Sequence, residues 1–180
     1  REAGKLQRAI DLLEQTLADR ERVLGTDHPD TLTSCHSLAV AYRGVGQVQR
    51  AIDLHMQTLA DRERILGADH PDTLISRNSL AVAYREAGKL QRAIDLLEQT
   101  LADRERVLGT DHPDTLTSRH NLAVAYHEGG EVRQAVDLLK RALTSRERIL
   151  GEDHPAACRT RACLVSALDE RDNADPPPAS

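Results

Sequence analysis

Apolar residues follow two helical patterns that alternate along the chain. In the longer pattern Leu6, Ala9, Ile10, Leu13, Leu17 and Leu24 recur at helical spacing, leaving Arg8, Asp11, Glu14, Gln15 and Arg22 outside. In the shorter one Leu116, Leu122, Ala123 and Tyr126 share one face. The repeats of these patterns predict long helices at about 5–24, 47–66, 89–108 and 131–150. Short helices are predicted at about 29–43, 71–85, 113–127 and 155–170. Ala, Leu, Arg, Glu and Gln fill both patterns, a strongly helical mixture, and nothing alternates as a strand would. The fold class expected is all-α.

The joints repeat as well. Leu108-Gly109-Thr110-Asp111-His112-Pro113-Asp114 recurs, lightly edited, at Leu24 to Asp30, Leu66 to Asp72 and Leu150 to Pro155. Gly25, Gly67, Gly109 and Gly151 keep step at a spacing of 42 residues (67 − 25 = 42). A period of that size is the mark of a repeat architecture. Glycine ends one helix and proline opens the next. Asp27/His28 and their copies supply cap groups, and Asp30 sets a negative charge against the new helix's positive end. Four units follow, 1–42, 43–84, 85–126 and 127–168. The first and third differ only at Cys35/Arg119 and Ser37/Asn121.

Composition changes the picture in one respect. With 2% aromatic residues and 29% charged ones, the chain cannot build a single large core around bulky side chains. Small Leu, Ala and Val contacts between neighbouring helices remain available, as in a linear array. One domain, an array over 1–168, is expected, followed by a disordered polar tail at 171–180 whose Pro176-Pro177-Pro178 cannot continue a helix. The first long helix has no short helix before it. It is therefore expected to expose an apolar face, to self-associate, swap or fray there, and to belong to the C-terminal piece of a longer array. A net charge of −5 opposes a nucleic-acid partner, and no apolar run is long enough for a membrane span. Cys158 and Cys163 point about 140° apart on a helix, so Cys35, Cys158 and Cys163 read as free thiols of a reducing, cytoplasmic setting.

Little in the chain suggests reaction chemistry. His28, His70, His112 and His154 sit one per joint, and helices packed ~8–10 Å apart cannot bring them around one ion at bonds of ~2 Å. Capping is their expected job. No phosphate loop, Cys-x-x-Cys pair or nucleophile elbow occurs, so no enzyme activity, catalytic residue, metal or cofactor is expected. His55-Met56 stands where the neighbouring units have Leu13-Glu14 and Leu97-Glu98. His55 falls on the buried face and should weaken that layer, either as a satisfied histidine or as a softened, pH-sensitive spot.

Asn121-Leu122-Ala123-x-x-Tyr126, Gly130 and Ala135, followed by Arg148-Ile149-Leu150-Gly151 with Asp153-His154-Pro155, resembles the 42-residue tetratricopeptide repeats of the kinesin light chain type. The resemblance spans roughly 1–168. It implies an α-solenoid, a right-handed superhelix of antiparallel helix pairs whose short helices line a concave groove for extended peptide segments. It also implies, as an alternative, a sensor or regulatory segment of a larger nucleotide-binding signalling protein. The chain departs from the family at two places. The family's Asn-Asn pair reads His36-Ser37, Asn78-Ser79, His120-Asn121 and Ala162-Cys163. A position often apolar holds Cys35, Arg77, Arg119 and Arg161 near the centre of the packed face, where the stems should bury and the heads snorkel outward.

The groove candidates follow from helical rotation. With Leu116, Ala123 and Tyr126 turned to the long helices, the opposite side of that short helix carries His120, Val124 and His127, with Asn121 beside them. The counterparts are His36, Val40 and Arg43 in the first short helix and Asn78, Val82 and Arg85 in the second. The stripe offers polar contacts to a peptide main chain and shallow apolar seats. A protein-interaction scaffold for a polar or acidic peptide or a partner protein is the expected function. Asn78, Arg85, His120 and Asn121 are its leading contacts, and a solvated inner face is the plain alternative.

Overall fold

The four-residue joints at 25–28, 67–70, 109–112 and 151–154 impose the architecture seen in the computed structural model. It describes residues 2–174, with side chains from 6 to 173. The elements are α1 (Glu2–Leu24), α2 (Pro29–Gly44), α3 (Val48–Leu66), α4 (Pro71–Glu86), α5 (Leu90–Leu108), α6 (Pro113–Glu128), α7 (Val132–Leu150) and α8 (Pro155–Ala174). No strand occurs among the described residues, and the fold is an all-α solenoid. No helix among them is long and apolar enough to cross a membrane.

Each joint works through two residues. Gly67 and Gly151 close their helices at φ of 89° and 92°, a left-handed backbone that favours glycine. Three residues later histidine takes over as N-cap. Nδ1 of His28, His70 and His112 accepts the backbone N–H of Asp30, Asp72 and Asp114 at 3.1, 3.2 and 3.2 Å. His154 does the same for Ala156 at 3.2 Å. The cap group at each joint is thus the imidazole. Asp27 instead turns to α3, where Arg64 Nη2 donates to it at 2.7 Å, and Asp111 receives Arg148 on α7.

The helices fall into two compact units, α1–α4 and α5–α8, divided at Lys89/Leu90. In each unit every helix packs on its chain neighbours, and the two short helices also touch, α2 with α4 and α6 with α8. A linear array has no central core to gather all its helices, because each repeat buries its face on the next. Ile10, Leu38, Tyr42 and Ala51 form one such layer in the first unit. In the second, Ala123, Val136, Leu139, Leu164 and Ala167 form another.

A polar clamp recurs in every repeat, with its arginine buried in the second, third and fourth. Arg20, Arg62 and Arg104 each donate through Nη1 to the carbonyl of Asp30, Asp72 or Asp114 and to the hydroxyl of Ser34, Ser76 or Ser118, at 2.7–2.9 Å. Arg146 reaches Ala156 O at 3.2 Å and Thr160 Oγ1 at 2.5 Å. Each clamp ties the end of a long helix to the first turns of the following short one.

Two features differ from what the sequence suggests. Arg77 and Arg119 do not snorkel; both are 4% exposed. Their heads pair with Glu63 and Glu105 at 2.9 and 2.6 Å, and Arg161 pairs with Glu147 at 2.5 Å. Each glutamate lies 14 residues upstream on the preceding long helix, so the guanidinium is satisfied within the repeat. Secondly, α8 continues to Ala174, beyond the expected end near 170, so residues 171–174 of the expected tail are helical. The remainder of that tail, 175–180, lies outside the described residues.

Candidate partner-binding faces of the short helices

In the first unit the candidates lie on α2 and α4. Helical rotation puts His36, Val40 and Arg43 on one side of α2, and Asn78, Val82 and Arg85 on the matching side of α4. Val40 is 38% exposed, while the other five are half-buried. Arg43 Nη1 donates to Glu86 Oε1 at 3.1 Å and so joins the two short helices. The pairing of Arg43 with Glu86 escapes a reading of the sequence because the two lie 43 residues apart and only the packing brings them together.

His36 is the most constrained member. Its ring centroid lies 5.4 Å from that of His55 on α3, with the planes tilted by 55°. Its Nδ1 is buried without a hydrogen-bond partner. Burial, with Arg62 and Arg43 nearby, holds the imidazole below the usual histidine range. Beside it the Cys35 thiol is pushed up by burial and by Glu21 and Asp61. Cys35, Cys158 and Cys163 are all free thiols.

In the second unit α6 carries His120, Asn121, Val124 and His127, all half-buried. His120 Nδ1 lies 3.3 Å from Thr160 Oγ1 on α8. His127 Nε2 approaches Glu170 Oε2 to 2.9 Å, although off the line of a hydrogen bond. Across from them α8 offers Ala162, Ser166 and Asp169, all exposed and smaller or more acidic than their counterparts. The four leading contacts divide between the units, Asn78 and Arg85 in the first, His120 and Asn121 in the second. Within each unit the short helices in contact are α2 with α4 and α6 with α8.

Such faces can grip a main chain through imidazole, amide and guanidinium groups. Among the described residues no group of three His, Cys, Asp or Glu side chains is placed to hold a metal ion. The sequence pattern of the tetratricopeptide repeat matches residues 1–64, 36–106 and 93–148. The chain belongs to the tetratricopeptide repeat family. The repeat array is also similar to solved structures of a putative kinesin light chain of Podosopora anserina with nearly identical TPR-like repeats. One of these, a point-substituted variant, has 37% identity and a TM-score of 0.80 over 96% of this chain and 81% of that one. A second structure of that protein has 37% identity and a TM-score of 0.78 over 96% and 82%. The fold is shared with BtubC from P. vanneervenii at 20% identity and a TM-score of 0.74, over 99% of this chain and 78% of that one. A comparison with curated protein sequences gave no match. The repeats are of the 42-residue kinesin light chain type.

Proposed function

We propose that this repeat array is a non-enzymatic, cytoplasmic protein-interaction scaffold that holds an extended, polar to acidic peptide segment of a partner protein along its short helices. The observation that carries the reading is the α2/α4 face. Two short helices in contact present a line of His36, Val40, Arg43 and Asn78, Val82, Arg85, joined by the Arg43–Glu86 bond. An extended peptide rises ~3.3 Å per residue, so a few residues would cross both helices at their ~8–10 Å spacing. Imidazole and amide groups offer hydrogen bonds to its backbone, and the valines offer shallow seats. Aromatic anchors are missing from the face, which favours modest affinity.

The test selects peptides from a random display library on the whole chain and maps the winners by amide shift perturbation. Shifts should centre on residues 36–43 and 78–85, or on 120–127. Asn78→Ala with Arg85→Glu should then weaken a first-unit binder at least tenfold, about 1.4 kcal/mol. A convex control belongs at Gln99, an exposed residue of α5, as Gln99→Arg. Glu98 is unsuitable, because Tyr126 Oη donates to it. Binding that survives the Asn78/Arg85 pair and fails with Gln99→Arg would place the working surface on the long helices.

A further inference from the structure

The three other repeats place leucine where His55 stands: Leu13, Leu97 and Leu139. Leu97 and Leu139 are fully buried core residues, and His55 is equally so at 0% exposure. Neither of its ring nitrogens has a hydrogen-bond partner. A leucine satisfies that site, whereas an imidazole brings one donor and one acceptor into it and pairs neither. Its nearest ring is that of His36, whose Nδ1 is also buried and unpartnered.

We propose that the His36–His55 pair makes the α2–α3 interface an acid-sensitive joint, closed at neutral pH and opening more readily in acid because its rings take up protons only once released. The surroundings carry this. The charged groups facing the pair are Arg43 on α2, Arg62 on α3 and Asp72 on α4. Two of them are cations, and the one carboxylate that would favour a charged ring acts on His36, where the opposing effects outweigh it. A first proton therefore enters a dry site beside two guanidinium groups, and a second would meet the first at ring-contact distance. Burial, then His36, Arg43 and Arg62, push the His55 imidazole down to about 3. An exposed histidine ionises near 6.5. Opening the interface thus takes up protons in the whole window from about 6.5 down to 3, and acid drives the opening.

The α6–α7 interface provides an internal reference. His120 and Leu139 occupy the places of His36 and His55 there, so one histidine of the pair is replaced by an apolar side chain. Each unit also carries two capping histidines, His28 and His70 or His112 and His154, so acid effects on caps are common to both. Peptide binding plays no part in the behaviour of this joint.

The experiment is amide hydrogen exchange on the whole chain at about pH 7.5 and about pH 5, normalised for intrinsic rates. The α2–α3 opening constant should rise roughly thirtyfold relative to α6–α7, the factor for one ring that ionises only when open. His55→Leu, the residue of the other three repeats, should abolish the difference. Equal changes at both interfaces, or a difference that persists in His55→Leu, overturns the proposal. Imidazole resonances add a reading on the unmodified protein. A His55 ring that titrates near 6.5 while α2–α3 amides stay protected would also overturn it.

Discussion

Arg119 Nη2 donates to Glu105 Oε1 at 2.6 Å, across the gap between α5 and α6. The arginine is 4% exposed, and the glutamate retains partial contact with water. The same pair, Arg77–Glu63 and Arg161–Glu147, recurs in the neighbouring repeats. The two partners are not equivalent in energy. Removing the carboxylate leaves a desolvated cation, whereas removing the cation leaves a carboxylate that water still reaches. Glu105→Gln should therefore destabilise by about 1–2 kcal/mol, discounted from the fully buried case. Arg119→Met should change stability by less than ~1 kcal/mol. Urea denaturation of the two variants side by side tests the asymmetry. A larger loss for Arg119→Met would mean that the stem's packing, and not the ion pair, matters.

Tyr126 donates its hydroxyl to Glu98, and Tyr42 donates to Glu14 at 2.5 Å. The corresponding position in the second repeat is Met56, which cannot accept such a bond, and Tyr84 instead lies under Lys89 at 5.8 Å. Tyr126→Phe should accordingly lose about 1 kcal/mol and Tyr84→Phe less than ~0.5 kcal/mol. Burial and Glu98 push the Tyr126 phenol up to about 12. Ultraviolet titration should show a phenol ionising near 12 that the Tyr126→Phe variant lacks.

At neutral pH the buried His55 ring leaves a donor and an acceptor unsatisfied. His55→Leu should then stabilise the chain by about 1–3 kcal/mol near pH 7.5. The advantage should grow as pH falls. The native ring, held at about 3, refuses protons that the unfolded ring accepts below about 6.5. By pH 5 the added difference is about 2 kcal/mol, and above pH 7 it vanishes. Denaturation curves at the two pH values give both numbers. A gain that is constant with pH would assign the whole effect to packing.

On α1, Ala9 and Thr16 are exposed and Leu12 is 58% exposed, although Ala51 and Thr58, the same positions in α3, are fully buried. In α3 and α7 that surface lies against the preceding short helix, α2 or α6. An uncovered apolar stripe of this kind favours association. Sedimentation velocity should show mass increasing with concentration, and Leu12→Glu should suppress the increase. A single species at all concentrations would refute it.

The helices and their joints were legible because their causes are local. Spacing of apolar residues, Gly25-type stops, His28-type caps and Pro29-type starts each act within a few residues of themselves. Near-identity of the first and third units then made one reading serve for both. The family, too, could be read from residues within a single period.

What the sequence withheld depends on contacts between helices. By sequence Arg77 is misplaced at the centre of a packed face, yet Glu63, 14 residues back in the chain, lies 2.9 Å from it in space. The Arg62–Ser76 clamp and the Arg43–Glu86 bridge were invisible for the same reason. His55 could be recognised from sequence as a misfit, but its consequence could not. Only the packing of α2 on α3 brings His36 against it and withholds every partner from its ring. Periodicity fixes which side of a helix is buried. Which polar groups meet there, and whether they are paired, is settled by how neighbouring helices dock, because desolvation and hydrogen bonding act through space and not along the chain.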